Sequence, residues 1–218
     1  MKFPTLLINF KTYEEASGKN AIELVKICKE LKSNISCAVS NCDLNACAKL
    51  KIPILSQHLD SETAGGHTGK IHVKMLKENG AEGVLINHSE DRISFLEIKK
   101  LIEICKQNKL VSVVCSKTVP ESKSIAQLNP DCIAIEPPEL IGGDISVTSA
   151  NPDIISNTVK AVKNVSPKIK VLCGAGVKNG KDVKIALKLG ADGVLVASGV
   201  TKAKNKKKAV EDLLKGLK

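Results

Sequence analysis

Eight short apolar runs, spread over the whole chain and separated by helix-like segments, constrain the fold more than any other feature. Rich in Val, Ile, Leu and small residues, they are Thr5 to Asn9, Ser36 to Ser40, Pro53 to Gln57, Gly83 to Asn87, Ser112 to Ser116, Cys132 to Glu136, Lys170 to Gly174 and Gly193 to Ala197. Each is continuously apolar rather than alternating, the pattern of strands covered on both faces, as parallel strands are. Parallel strands need crossover helices, and amphipathic stretches such as Ala21 to Leu31 and Val183 to Leu189 supply them. Asn151-Pro152 before Asp153 reads as a cap and first-turn proline, while Gly80 and Gly190 sit where helices must stop. Eight strand-helix units in 218 residues predict an α/β chain closed into a (β/α)8 barrel, a single domain over 1–218. Such a barrel is shorter than the roughly 250 residues usual for the class, so its helices and loops must be trimmed. The competing architecture, an open doubly wound sheet, needs fewer strands and one dominant Gly-rich turn.

The chain is 43% hydrophobic and 26% charged, enough to bury a core and too apolar for a disordered chain. Its apolar runs are strand length, well below the roughly 20 residues of a membrane helix. Met1-Lys2-Phe3-Pro4 enters the first strand at once, leaving no room for a signal peptide. Of the eight cysteines, Cys115, Cys132 and Cys173 fall inside strand runs, Cys37, Cys42 and Cys47 lack the close pairing of a zinc site, and no C-x-x-C occurs. Buried free thiols, no metal and a reducing cytosol are therefore expected. Lys plus Arg number 33 against 23 acidic residues, a net charge of +10 that favours anionic partners, either nucleic acid or a phosphorylated metabolite. Nucleic acid is the poorer fit, because aromatics make up 2% of the chain and Arg92 is the sole arginine. The densest basic run, Lys202, Lys204, Lys206, Lys207 and Lys208, reads as a solvated surface.

Polar residues at the ends of the apolar runs can build one phosphosugar site only in a fold that gathers strand ends. Glu136 closes one run, and a carboxylate at the end of a barrel strand points to the face that carries catalysis, although capping the strand or pairing with a lysine is the plainer alternative. The segment Pro137 to Gly143, prolines at one side and glycines at the other, reads as a lid. His88 precedes Ser89-Glu90-Asp91, which reads as an acidic helix start; a helix N-terminus there would hold the imidazole neutral and ready to donate a hydrogen bond. Glu90 takes a supporting role. Asn9 and Lys11, two residues apart, would share one face of a continued strand. Gly174-Ala175-Gly176 and Ala197-Ser198-Gly199 offer backbone N–H groups for a phosphate. As a dinucleotide turn the first of these fails, since its third glycine falls at 180 and no acid follows about 20 residues on.

Asn9-Phe10-Lys11, Asn87-His88-Ser89-Glu90, Glu136-Pro137-Pro138-Glu139-Leu140-Ile141-Gly142, Cys173-Gly174-Ala175-Gly176-Val177 and Leu195-Val196-Ala197-Ser198-Gly199 together resemble triosephosphate isomerase in its short archaeal form. The resemblance covers essentially the whole chain. It implies a TIM barrel that interconverts glyceraldehyde 3-phosphate and dihydroxyacetone phosphate through an enediolate, without cofactor or metal. It further implies Glu136 as base, His88 as electrophile, and Asn9, Phe10 and Lys11 at the substrate, with backbone contacts from Ile141, Gly176, Ala197 and Ser198. Gly65-Gly66-His67-Thr68-Gly69 resembles the loop that members of this family insert into a partner subunit, so a homodimer at minimum, and the homotetramer of the archaeal forms, is expected. The chain departs from the family pattern at Gly142-Gly143-Asp144, where Gly-Thr-Gly is common, and at Ser40-Asn41-Cys42, which lacks a Pro-Gln. Two other classes stay open: a different phosphate-binding barrel enzyme, which would bring further acids to the strand ends, and a basic nucleic-acid binder using lysines 202 to 208.

Overall fold

Parallel pairing runs unbroken from the first strand to the last. The computed structural model describes residues 1–137 and 152–217. Its strands are β1 (Thr5–Asn9), β2 (Ile35–Val39), β3 (Ile54–Ser56), β4 (Gly83–Ile86), β5 (Val111–Ser116), β6 (Cys132–Ile135), β7 (Lys170–Cys173) and β8 (Gly193–Val196). Each pairs in parallel with the next, and β1 also pairs with β8, closing the barrel. At the seam Thr5 lies opposite Gly193, and a Cβ on that glycine would stand 2.3 Å from the Thr5 carbonyl oxygen, so nothing larger lets the two strands meet. The closed barrel agrees with the sequence reading, and the open sheet is excluded.

Alternation along each strand sorts the core into two shells. Leu7, Ala38, Leu55, Leu85, Val113, Cys115, Cys132, Ala134, Leu172 and Leu195 fill the barrel, with Met1, Phe3 and Val111 packed against that set. The intervening residues, among them Leu6, Ile8, Ile54, Val84 and Val194, face the surrounding helices in a second, larger shell. That double coverage is the physical reason the runs are continuously apolar. The expected trimming falls on the second and third helices, Leu44–Ala48 and Val73–Glu78, both under two full turns.

The helix after β4 begins later than the sequence suggests. It spans Phe95–Gln107, capped by Ser94, whose side chain accepts from the Glu97 N–H. Residues 88–91 instead form a turn closed by the Asp91 N–H on the His88 carbonyl. Ser89-Glu90-Asp91 mimics an acidic first turn, but Ser94 with Glu97 is the true Ser-x-x-Glu signature. The helix expected from Asn151-Pro152 runs Pro152–Val165, with Asn151 outside the described residues.

All eight cysteines are free, and only Cys42 is exposed. None of the described helices is long and apolar enough to cross a membrane. Part of the lysine run is engaged within the chain: Lys202 stands over the Tyr13 ring at 4.2 Å, Lys206 donates to the Glu15 carbonyl, and Lys207 pairs with Glu30 at 3.3 Å. Those contacts favour a structural surface over a nucleic-acid site. Asn41 accepts from the Ser56 hydroxyl and donates to the His58 carbonyl at 3.4 Å, which gives the departure at Ser40-Asn41-Cys42 a role in tying the loop after β2 to that after β3.

Candidate active site

The same alternation that fills the barrel builds the floor of a pocket at its C-terminal end. Continuing the inward positions Leu7, Leu55, Leu85, Ala134, Leu172 and Leu195 by two residues reaches Asn9, Gln57, Asn87, Glu136, Gly174 and Ala197. A parallel barrel has all its strand ends on one face, so residues more than a hundred positions apart become neighbours. The resulting cavity, about 410 Å³, is lined among others by Asn9, Lys11, His88, Glu136, Gly176, Ala197, Ser198 and Gly199.

Glu136 is buried, 4% exposed, and its Oε1 lies 3.6 Å from His88 Nε2. Its Oε2 has no hydrogen-bond partner among the described residues. Burial pushes this carboxyl up; the His88 ring, the Cys115 thiol and the charge of Lys11 outweigh that and hold it below the ordinary carboxylate range. Glu136 thus favours its ionised form at the pocket wall, with one oxygen unpaired among the described residues.

His88 owes its state to a turn rather than a helix. The Glu90 N–H donates to His88 Nδ1 at 3.2 Å, which makes Nδ1 the acceptor and leaves the ring proton on Nε2, facing Glu136 and the pocket. The chain reaches this geometry through Asn87, whose φ of 59° is left-handed. Asn87 is pinned there by donating to the Cys115 carbonyl at 2.9 Å and accepting from the Ile93 N–H at 3.1 Å.

Lys11 also departs from the strand expectation. β1 ends at Asn9, and Lys11 adopts a φ of 50°, so a left-handed turn rather than strand alternation directs its side chain. Its side chain, 11% exposed, pairs through Nζ with Glu90 Oε1 at 2.6 Å. Phe10 lines no part of the pocket: it is fully buried in the outer shell, so its side chain packs the barrel against its helices. Gly176 and Ala197 do line the cavity, and Ser198 opens the short turn Ser198–Thr201, whose first N–H groups have no intrahelical acceptor. Ile141 and the lid residues from Pro138 to Gly143 lie outside the described residues.

Sequence reasoning missed three contributors. Gln57 donates to Asn9, Lys11 and Ala38. Cys115 sits beside the Glu136 carboxyl. Gly174 makes room for the Glu136 side chain, because a Cβ there would lie 2.5 Å from Glu136 Cγ. Gly174→Ala is accordingly expected to lower kcat by about 10²-fold, since displacing a reacting group by about 1 Å can cost that much. The barrel should stay folded. Parallel measurements of kcat and thermal midpoint check it; an unchanged kcat would mean that Glu136 does not need this space.

A sequence profile of triosephosphate isomerase matches residues 4–215. Three curated triosephosphate isomerases are similar over nearly the full length of both chains. That of Methanothermus fervidus is 45% identical over 219 residues, covering 98% of this chain and 99% of its own. The Methanobrevibacter smithii protein is 46% identical over 222 residues, covering 100% of each chain. The Methanocaldococcus jannaschii protein is 45% identical over 215 residues, covering 96% and 98%. Among solved structures, a triosephosphate isomerase from Bartonella henselae superimposes with a TM-score of 0.75 at 20% identity, covering 95% of this chain and 98% of that one, a likeness of fold.

Proposed function

From the premise that this chain belongs to the triosephosphate isomerase family and interconverts glyceraldehyde 3-phosphate and dihydroxyacetone phosphate, we propose that Glu136 is the base that moves the proton. The observation that carries this reading is the buried Glu136 carboxylate, whose Oε2 has no hydrogen-bond partner among the described residues while its Oε1 lies 3.6 Å from His88 Nε2. Isomerisation removes a proton from carbon beside a carbonyl, and a carboxylate is a weak base for so weak an acid. The developing enediolate oxygen must be stabilised. His88 Nε2–H supplies a hydrogen bond to it, and the Lys11 ammonium, beside Asn9 on the pocket wall, supplies charge. Glu136 then returns the proton to the neighbouring carbon, while the hydroxyl proton passes between the two enediolate oxygens through His88 Nε2. Backbone N–H groups of Gly176, Ala197 and Ser198 take the phosphate, and the family resemblance adds that of Ile141. The division of labour between Glu136 and His88 is carried over from the family; the hydrogen-bond geometry of this chain supports it.

A coupled assay of the purified protein with glyceraldehyde 3-phosphate tests the reading. Rapid conversion that is lost in Glu136→Gln supports it, whereas no conversion by folded parent protein would move the site to another phosphosugar reaction.

The protein works as a single barrel domain that self-associates, at least as a dimer and in full as a homotetramer. Residues 63–70, which include the tip Gly65 to Gly69, are exposed throughout, while the stem of that loop is clamped: Lys70 pairs with Asp60 at 2.9 Å and the Ile71 N–H donates to Asp60 at 2.8 Å. Phe95 and Leu96, 49% and 63% exposed at the head of their helix, offer apolar surface for a further contact. Light scattering should give a mass above the monomer's 23.2 kDa, and Phe95→Lys with Leu96→Glu should lower it. A stable, active monomer would refute the assembly. Eight free thiols support the cytosol as its compartment.

A further inference from the structure

Three backbone groups settle the orientation of two side-chain amides at the edge of the pocket, and through them assign a role to a residue outside the proposed machinery. A carbonyl oxygen can only accept, so the end of the Gln57 amide that lies 3.1 Å from the carbonyls of both Lys11 and Ala38 must be its NH2. The Lys11 backbone N–H can only donate, so the atom of Asn9 that it meets at 3.0 Å must be Oδ1. Gln57 Nε2 then reaches the same Oδ1 at 3.2 Å. The Gln57 NH2 shares its two hydrogens among these three acceptors, so Asn9 Oδ1 faces the Lys11 N–H and the Gln57 NH2, and its Nδ2 is the end left for the cavity that Asn9 lines.

Lys11 is held by the same group. Its φ of 50° is a costly conformation for a residue with a Cβ, and it persists only where surrounding contacts enforce it. The contacts that do so are its N–H on Asn9 and its carbonyl on Gln57. Gln57 is itself immobilised. Its N–H donates to the Val39 carbonyl at 3.3 Å, and the adjacent His58 bridges Asp60 at 3.1 Å and Asp91 at 3.2 Å. Those two carboxylates belong to the loops after β3 and β4, so His58 braces the Gln57 segment against the loop that carries His88.

We infer that Gln57 is a positioning residue for the isomerisation: its side-chain NH2 turns Asn9 Nδ2 toward the substrate and holds Lys11 in the left-handed turn that aims its ammonium into the pocket. The inference rests on the reading of Asn9 and Lys11 as substrate contacts. Lys11 acts on the bound phosphate and on the developing oxyanion alike, so its misplacement changes binding and turnover together.

The test is a double-mutant cycle joining Gln57→Met, a substitution of similar size without a donor, to Asn9→Ala, with kcat, KM, inhibition by inorganic phosphate and thermal midpoint measured for all four proteins. Gln57→Met is expected to raise KM and the phosphate inhibition constant and to lower kcat, reducing kcat/KM by about 10- to 100-fold. The two penalties should fall short of multiplying by at least about fivefold, because residues that act through one another are not additive. A merely structural glutamine would lower the midpoint while leaving the penalties multiplicative, and that result overturns the inference. So does kcat/KM within twofold of the parent. If Asn9→Ala alone changes neither constant, the reading of the substrate contacts fails and takes this inference with it; a strong Asn9→Ala effect with multiplicative penalties defeats the Gln57 role alone.

Discussion

Replacing Glu136 by glutamine should lower kcat by about 10²- to 10⁴-fold, the usual contribution of a positioned general base, with KM moved only a few-fold. The amide matches the carboxylate in size and leaves the packing around Gly174 undisturbed, but it cannot take a proton. The pH dependence carries the same signature. The folded-state pKa of Glu136 lies below its ordinary 4.5, so the ionised base is present throughout the neutral range, and its loss contributes an acid limb only as pH falls below about 4.5. A depressed carboxyl also contributes stability that is fully present above the unfolded value and is lost as pH falls through the folded one. The parent's thermal midpoint should therefore drop on acidification below about pH 4.5 more than that of Glu136→Gln. Steady-state kinetics and thermal scans across this range check both; a kcat within tenfold of the parent would remove Glu136 from the proton transfer.

His88→Ala should cost about 10²- to 10³-fold in kcat, equivalent to roughly 3 to 4 kcal/mol, the loss seen when one preorganised donor to a developing oxyanion is removed. Which nitrogen carries the proton decides the effect. With Nδ1 accepting from the Glu90 N–H at 3.2 Å, Nε2 is the protonated end, so the donor is in place before substrate arrives. Nitrogen NMR of the free protein should show the Nε2–H tautomer near neutral pH. The opposite tautomer, or a kcat reduced less than tenfold, would separate His88 from the reaction. Because the turn uses the backbone of Glu90, Glu90→Ala should preserve the tautomer and act instead by releasing Lys11 from its ion pair.

Strands were legible because burial on both faces writes continuous apolar runs into the chain, and β1, β4, β6, β7 and β8 begin at the very residues that open their runs. The site was legible where strand alternation alone delivers a residue, as it does for Asn9 and Glu136. It was not legible where the chain leaves the strand. A helix start was expected beside His88, but the imidazole is set by a turn, and the cap that would have corrected the reading stood six residues on at Ser94. Phe10 shows the converse limit: its neighbours in sequence meet the pocket, yet its own side chain points to the helices.

The sequence by itself determined the number of strands, their parallel covering and the identity of the polar residues at their ends, because periodicity and propensity are local and survive without a partner. Only the tertiary structure decided that Lys11 and Asn87 turn left-handed, that Gly174 yields its space to Glu136, and that Gln57 reaches across to residues as many as 48 positions away. Those outcomes depend on hydrogen bonds and close approaches that exist only once the barrel has closed, and no pattern within a single segment records them.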